Sequence, residues 1–185
     1  MHEMQAKLET PARLAELNPP DTLQRIGLKD GDALCDIGAG SGIFAIPAAQ
    51  LTHGTVYAIE LRADMLDIII EKARVAGLGN VIPVLSDGSS YAVSDSTIDI
   101  ALAVTVLHGI ADKPAFLREA KRLLKPGGRM AVVEFHARET PMGPPVARRL
   151  SKEDVGAVFA DVGFAAQDAF DLGGNFYCMV FEAES

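Results

Sequence analysis

The chain has 185 residues, of which 49% are hydrophobic and 23% charged, a composition that allows a single domain with a buried core. Its formal net charge is −8 at pH 7, so its surface repels phosphates and argues against nucleic acid as a partner. No apolar run reaches membrane-spanning length, and we expect a cytoplasmic protein without membrane insertion. The one notable basic cluster, Arg148 and Arg149, is interpreted as a solvent-facing pair.

The predicted elements begin with helices. Apolar residues at helical spacing predict a short helix within the first eighteen residues, which Pro19 and Pro20 interrupt. A second short helix follows and stops at Gly27, so 1–27 forms a helical extension to a single domain over 1–185.

Strands and helices then alternate. The strand-like segments are ALCDIG, TVYAIEL, NVIPVLSDG, TIDIALAVTVL and RMAVVEF. The helical segments between them are GIFAIPAAQL, ADMLDIIIEKARVAG and KPAFLREAKRLLKPGG. Pro47 is expected to start the first of these helices late or to bend it. The alternation predicts an α/β fold with a parallel sheet and helices on both faces.

The tail breaks this rhythm. A proline-rich loop, ETPMGPPVARR, precedes a helix whose capping-box-like start is formed by Ser151 and Asp154. Two further strands, AAQDAFDL and NFYCMVFEA, are separated only by Gly173 and Gly174, which predicts a hairpin. We therefore expect seven strands, the last antiparallel to its neighbours, with ligand at the carboxyl ends of the parallel ones.

A glycine-rich turn follows the first strand. The stretch CDIGAGSGIF has glycines at Gly38, Gly40 and Gly42, whereas a dinucleotide fingerprint is G-x-G-x-x-G. Ile43 occupies the place of the third glycine of that fingerprint, and Asp36 lies two residues before the turn.

Asp36 favours a cationic ligand over a pyrophosphate. Two like charges about 5 Å apart repel by a few kcal/mol at an intermediate dielectric. S-adenosylmethionine has no phosphate and carries a sulfonium and an ammonium group, so a carboxylate at the turn attracts it. The alternative for Asp36 is a turn residue that hydrogen-bonds its own loop.

Other candidate cofactor residues lie at the ends of the second and third strands. Glu60 is placed to accept from both ribose hydroxyls, and Asp87, which precedes Gly88, to accept from the adenine amine. Leu61 and Met65 are candidates to pack on the adenine face. The alternatives are a solvated strand-end acid, a turn aspartate and ordinary core residues.

Five motifs in order resemble the class I S-adenosylmethionine-dependent methyltransferases. They are DIGAGSG, AIEL, LSDG, TIDIALAVTVLHGI and LLKPGGRMAVVEF, and the resemblance covers roughly 20–183. It implies a Rossmann-like, doubly wound seven-stranded sheet of order 3-2-1-4-5-7-6, mostly parallel with an antiparallel last strand. It also implies S-adenosyl-L-methionine as cofactor, and it places Thr105 at the methionine part of that cofactor.

Within this family the chain resembles the small-molecule branch of quinone-biosynthesis and arsenite-type methyltransferases, which implies a small-molecule methyl acceptor. Arsenite enzymes need several thiolates. Cys35 and Cys178 lie in strand-like runs and are predicted to be buried free thiols, which argues against arsenic chemistry and against a metal site.

Three residues after the fourth and fifth strands are candidate catalytic groups. Methyl transfer from a sulfonium mainly requires positioning, and a base helps only when the nucleophile holds a proton. The candidates are His108, Glu134 and His136, each with an alternative as a packing histidine, an orienting acid or an exposed loop residue.

Two other functions stay open at this point. A protein of the same fold that binds S-adenosylmethionine or S-adenosylhomocysteine without catalysis is the main alternative, and a nicotinamide-dependent reductase is the second. A homodimer is a further expectation. The sequence leaves the acceptor, the methylated atom and the use of a base undetermined.

Overall fold

A computed structural model describes residues 3–184. Its seven strands form a sheet of order β3-β2-β1-β4-β5-β7-β6, so the predicted α/β fold and strand order are confirmed. The strands are β1 Leu34–Ile37, β2 Val56–Glu60, β3 Val81–Leu85, β4 Ile98–Val104, β5 Leu124–Phe135, β6 Phe164–Leu172 and β7 Phe176–Ala183. The helices are α1 Glu3–Leu8, α2 Pro11–Leu17, α3 Pro19–Arg25, α4 Ala45–Leu51, α5 Ala63–Val75, α6 Lys113–Leu123 and α7 Lys152–Ala160.

The chain divides into two compact units, Met1–Val93 and Ser94–Ser185. The first contains α1 to α5 and β1 to β3, and the second contains the remaining elements. A single domain over 1–185 stays a prediction, and its residues 1, 2 and 185 lie outside the described part of the chain.

In the first unit, β2 pairs in parallel with both β1 and β3. Several apolar side chains of β1, β2 and α5 belong to a core, because each of them is at most 2% exposed. They include Leu34, Ile37, Val56, Ile59 and Ile69. Parallel strands present their carboxyl ends at the same sheet edge, so the turn after β1 and the ends of β2 and β3 belong to that edge.

The leading segment differs from the prediction of one helix before Pro19. It forms α1 and α2, because Thr10 caps the second helix through Arg13 N–H and Pro11 occupies its first position. Asn18, with a left-handed φ of 35°, then separates α2 from α3. Further along, α4 begins only at Ala45, which confirms the late start expected from Pro47.

In the second unit, β4 and β5 are parallel, whereas β7 pairs antiparallel with both β5 and β6. The predicted hairpin and antiparallel last strand are therefore confirmed. β5 begins at Leu124, earlier than the segment RMAVVEF, because Leu124 pairs with Ile98 before a register shift that aligns Arg129 with Ile100. The capping box of Ser151 and Asp154 is present at the start of α7.

Both cysteines are buried free thiols, as predicted. Burial raises the pKa of the Cys35 thiol, with the neighbouring Asp36 carboxylate as a further cause, so this thiol stays protonated at neutral pH. Among residues 3–184, no helix is long and apolar enough to cross a membrane.

Candidate functional site

The glycine turn of the first unit uses its backbone donors internally. Gly38 N–H and Ala39 N–H both donate to the Ile59 carbonyl, at 2.8 and 2.9 Å. Gly42 N–H donates to the Ala39 carbonyl at 2.9 Å, and Gly40 N–H donates to the Glu60 carboxylate at 2.8 Å. A loop that cradles phosphate points such N–H groups at the ligand. These four donors already have acceptors within the turn and β2.

The turn requires glycine at two of its positions. Gly40 and Gly42 have φ values of +54° and +81°, which side chains rarely adopt. A Cβ atom on Gly40 would also lie 2.8 Å from Leu8 Cδ1, and one on Gly42 would lie 3.0 Å from Ile69 Cγ1. The glycines therefore permit close approach of α1 and α5 to the turn.

Asp36 lies in β1 just before the turn and is only 2% exposed. Burial raises the pKa of its carboxyl to about 7, the Ala45 N–H at the start of α4 opposes the rise, and the Glu60 carboxylate adds to it. The carboxyl is therefore near its midpoint of ionisation at neutral pH. A cation next to it would favour the carboxylate, whereas another anion would oppose it.

Glu60 ends β2 and joins that strand end to the glycine turn. Its Oε2 accepts from Gly40 N–H at 2.8 Å, and its Oε1 accepts from the N–H groups of Leu61 and Arg62 at 2.9 and 3.1 Å. These contacts fix the carboxylate at the carboxyl end of β2.

The other predicted cofactor residues of this unit differ in how far their side chains are exposed to solvent. Leu61 is 62% exposed, and a Cβ on Gly88 would lie 3.4 Å from its Cδ2, so the ends of β2 and β3 are neighbours. Asp87 accepts from the N–H and hydroxyl of Ser89, which is the turn arrangement that stood as its alternative. Met65 is 1% exposed and lies in the core. A cofactor role for these residues stays a prediction.

A contact between the α1 segment and the glycine turn has no counterpart among the predictions from the sequence. Lys72 Nζ on α5 donates to the Ser41 carbonyl at 2.8 Å and pairs with the Glu9 carboxylate at 2.5 Å. Together with the packing of Leu8 near Gly40, this ion pair places α1 directly on the glycine turn. Residues so far apart in the chain share no sequence pattern that would reveal the contact.

In the second unit, a strained residue directly follows β4. Thr105 has a left-handed φ of 54°, an unusual conformation for a β-branched side chain, and its N–H donates to the Val133 carbonyl at 2.7 Å. Such strain is concentrated at functional sites. The turn at Thr105 leads into a short 3₁₀ helix, Leu107–Gly109, that carries His108.

The structure brings His108 and Glu134 together, although 26 positions separate them. His108 Nδ1 lies 2.7 Å from Glu134 Oε2, and the His108 backbone N–H donates to Oε1 at 3.1 Å. Glu134 is 1% exposed, and such a buried carboxylate requires these partners.

His136 makes its contacts elsewhere. Its Nε2 lies 3.6 Å from Asp171 Oδ1, and its ring packs against Tyr177. Burial lowers the pKa of His136, which Arg138 and Lys152 lower further and Asp171 opposes, so its ring is mostly neutral at pH 7. Among the described residues, no hydrogen bond or ion pair joins its side chain to His108 or Glu134, and its catalytic role stays a prediction.

The proline-rich loop is organised by Arg149. Arg148 is exposed, as expected of a solvent-facing pair, but the Arg149 guanidinium donates five hydrogen bonds into the loop. The acceptors are the main-chain oxygens of His136, Arg138, Met142 and Pro144 and the hydroxyl of Thr140. The solvent-facing interpretation is therefore wrong for Arg149.

The same loop packs on the end of β5. The Arg149 guanidinium lies 5.5 Å from the centre of the Phe135 ring, and a Cβ on Gly143 would lie 2.6 Å from a ring atom. Tyr177 donates its hydroxyl to the Leu150 carbonyl at 2.8 Å. The loop is thus held against Phe135 and Tyr177. Within residues 3–184, no group of three or more His, Cys, Asp or Glu side chains could hold a metal ion.

Curated proteins are similar to part of this chain in sequence. The chain is 28% identical over 130 residues to a ubiquinone/menaquinone biosynthesis C-methyltransferase of Haemophilus ducreyi, covering 69% of this chain and 49% of that protein. It is 32% identical over 117 residues to the protein of that name from Pasteurella multocida, covering 62% and 44%. The chain therefore spans about half the length of these relatives.

A solved structure and a family match agree with these relatives. The crystal structure of a SAM dependent methyltransferase from Aquifex aeolicus superposes with a TM-score of 0.90 at 28% identity, over 95% of each chain. The family described as "Methyltransferase domain" matches residues 35–132, more than half of the chain. The chain therefore belongs to the methyltransferase domain family, which confirms the predicted class I S-adenosylmethionine-dependent methyltransferase in family and fold.

Proposed function

We propose that this chain transfers the methyl group of S-adenosylmethionine to a small-molecule acceptor. The observation that carries the proposal is the internal use of the turn's backbone donors beside a buried acid. The N–H groups of Gly38, Gly40 and Gly42 already have acceptors within the protein, so they are not available to bind a pyrophosphate. The carboxylate of Asp36 would in addition repel a pyrophosphate. Both features favour a ligand that is cationic and lacks phosphate.

The residues present fit this cofactor. Asp36 would hold its ammonium group, directly or through water, and Glu60 at the end of β2 would accept from the ribose hydroxyls. Asp87 and Leu61 would contact the adenine, and Thr105 the methionine part. When bound, S-adenosylmethionine supplies a methyl group on a positively charged sulfur, which is already a good leaving group.

The protein's own contribution is positioning and exclusion of water. The contact of α1 with the glycine turn, through Leu8 and the Glu9–Lys72 pair, supports a covered cofactor site. The loop held by Arg149 over Phe135 supports a shaped surface next to the candidate catalytic residues.

The small-molecule acceptor is inferred from relatives whose names describe C-methylation in ubiquinone and menaquinone biosynthesis. A cytoplasmic location and a homodimer belong to the same proposal. Light scattering at working concentration tests the dimer, because a monomeric mass would contradict it.

A labelling experiment tests the transfer. The protein is incubated with S-adenosylmethionine carrying a ¹³C methyl group and with a small-molecule extract, and mass spectrometry searches for metabolites that gain one labelled methyl. We expect at least one such product together with S-adenosylhomocysteine. Binding of the cofactor without any labelled product across extracts would contradict the proposal and favour the non-catalytic binding protein.

A further inference from the structure

Exposed apolar side chains are concentrated in one part of the first unit. Among residues 3–184, six large apolar side chains are exposed, and five of them lie within 61–85. They are Leu61, Ile70, Val75, Ile82 and Leu85. These residues come from the end of β2, from α5 and from β3, which is the last strand at this side of the sheet. A cluster of exposed apolar side chains indicates a surface that another molecule covers.

The outer edge of β3 is poorly suited to pair with a further strand. Val56 N–H donates to the Asn80 carbonyl at 2.8 Å, and Ser86 N–H donates to the Glu60 carbonyl at 3.0 Å. Because backbone groups alternate in direction along a strand, the even-numbered residues of β3 face β2 and the odd-numbered ones face outward. Pro83 is one of the outward-facing residues and has no N–H to donate. A partner at this side of the unit must therefore pack against side chains.

One side of α5 offers such side chains along its whole length. Exposed residues three or four positions apart share this side of the helix, and they are Ala63, Asp67, Ile70, Glu71, Arg74 and Val75. The helix packs against β3, where Ile82 lies on the same side of the strand as the buried Val84. We call this surface, with its apolar residues Ile70, Val75 and Ile82, the α5 face.

The charges of the α5 face match those of a second copy of the same face. Asp67 and Arg74 lie about two helical turns apart, on either side of a midpoint next to Ile70. A twofold axis through that midpoint relates two antiparallel helices and puts each Asp67 beside the partner's Arg74. The same arrangement covers Ile70 and brings helix ends of opposite polarity together.

The contacts that these two charges already make leave room for this pairing. Arg74 donates to Glu71 through Nε at 2.8 Å and through Nη2 at 2.7 Å. Its Nη1 has no hydrogen-bond partner within the described part of the chain, and the Asp67 carboxylate has none there either. Arg74 can therefore donate to a second copy while it keeps both bonds to Glu71.

We propose that two copies of this chain associate through the α5 face, about a twofold axis next to Ile70. The proposal rests on the homodimer named in the proposed function, identifies its surface, and is independent of the methyl acceptor. Burial of Ile70 and Val75 supplies most of the affinity. The two pairs between Asp67 and the partner's Arg74 fix the antiparallel direction, because a parallel arrangement would bring like charges together.

Reversal of one charge at a time is the first test. Asp67→Arg leaves arginine at both positions and Arg74→Asp leaves aspartate at both, so each variant opposes like charges in its own homodimer. We expect each change to raise the Kd of the dimer about tenfold or more in sedimentation equilibrium, and Ile70→Ser to raise it similarly without a change of charge. Asp161→Arg, at an exposed position of the second unit, should leave the Kd unchanged.

Mixing the two charge variants is the second test. In a mixed dimer, both arginines of the Asp67→Arg chain face aspartates of the Arg74→Asp chain, so the two contacts are restored. With a fluorescent label on one variant, we expect mixed dimers with a Kd within about threefold of the wild-type value, whereas each variant alone stays mostly monomeric. Formation of the mixed dimer also shows that both variants are folded.

The outcomes separate this surface from the rest of the proposed function. A monomeric wild type would overturn the proposal together with the homodimer, and would leave methyl transfer to be judged by the labelling experiment. A wild-type dimer that persists unchanged in Asp67→Arg, Arg74→Asp or Ile70→Ser would overturn the α5 face alone. A mixture of the two charge variants that stays monomeric would overturn it as well.

Discussion

The carboxylate of Glu60 accepts a hydrogen bond from the backbone N–H of Gly40 at 2.8 Å, across 20 positions of the chain. This contact ties the end of β2 to the glycine turn after β1. It places an acid at the carboxyl edge of the first unit and occupies a donor that a phosphate would otherwise use. The same residue thus shapes the turn, and its predicted contact with the ribose hydroxyls of a cofactor stays a prediction.

Removing the Glu60 carboxylate should weaken cofactor binding. We expect Glu60→Ala to raise the Kd for S-adenosylhomocysteine about tenfold, the loss of one good polar contact. Asp36→Ala should raise the Kd for S-adenosylmethionine by a similar factor. Calorimetric titration measures both effects, and Glu71→Ala, at an exposed acid paired with Arg74, is the matched control. Undiminished affinity in both variants would remove these assignments.

The carboxyl of Asp36 should make stability fall as pH rises. Its pKa is about 7 in the folded protein and near 3.8 when unfolded, so the native state binds more protons between these values. The free energy of unfolding therefore decreases as pH rises through this window. Asp36→Asn keeps an acceptor for Ala45 N–H but does not titrate.

The comparison of Asp36→Asn with wild type isolates this effect. The Tm of the variant minus that of the wild type should grow by about 3 °C or more between pH 5 and pH 8. Thermal unfolding followed by circular dichroism at matched ionic strength provides the measurement. A difference that is constant across this range would show that Asp36 is ionised throughout.

Asn80 should contribute to the stability of the first unit. Its Nδ2 donates to the carbonyls of Ala49, Thr52 and Gly54, at 3.2, 2.8 and 3.0 Å. Asn80→Ala leaves these acceptors without that donor, and we expect a loss of about 1–3 kcal/mol in the free energy of unfolding. Urea denaturation measures the loss, with Gln50→Ala at an exposed position as control. Equal stability of the two variants would refute the role of Asn80.

Arg149 should control the order of the proline-rich loop. Lysine at this position cannot reproduce the planar set of donors that reaches five oxygen atoms. We therefore expect Arg149→Lys to increase hydrogen exchange of amides within 138–149 by tenfold or more, with β5 unchanged. Arg148→Lys is the control. Similar exchange in both variants would show that the loop is ordered without Arg149.

Most of the fold could be predicted because its signals are local. Apolar runs and helical spacing identify the strands and α4 to α7, and Gly173 and Gly174 identify the hairpin. The split of the leading helix had a local signal too, since Thr10 followed by Pro11 is a helix start. The early start of β5 had none, because it depends on the pairing of Leu124 with Ile98.

The candidate site likewise contains some features with a local sequence signal and others without one. Asp36 and the glycines stand together in the sequence, so the motif alone indicates that they are neighbours, and their role toward a cofactor stays a prediction. The pairing of His108 with Glu134 and the five bonds of Arg149 depend on distant segments that meet only in the fold. Neither the composition of the chain nor the spacing of its residues predicts such contacts.

A competitive titration tests the central claim most directly. The purified protein is titrated by calorimetry with sinefungin, a stable analogue of S-adenosylmethionine, and separately with NADH, which carries a pyrophosphate. We predict that sinefungin binds at one site per chain and that NADH gives no heat of binding and does not displace it. Binding of NADH with no binding of sinefungin would contradict the claim that the turn selects a cationic ligand lacking phosphate.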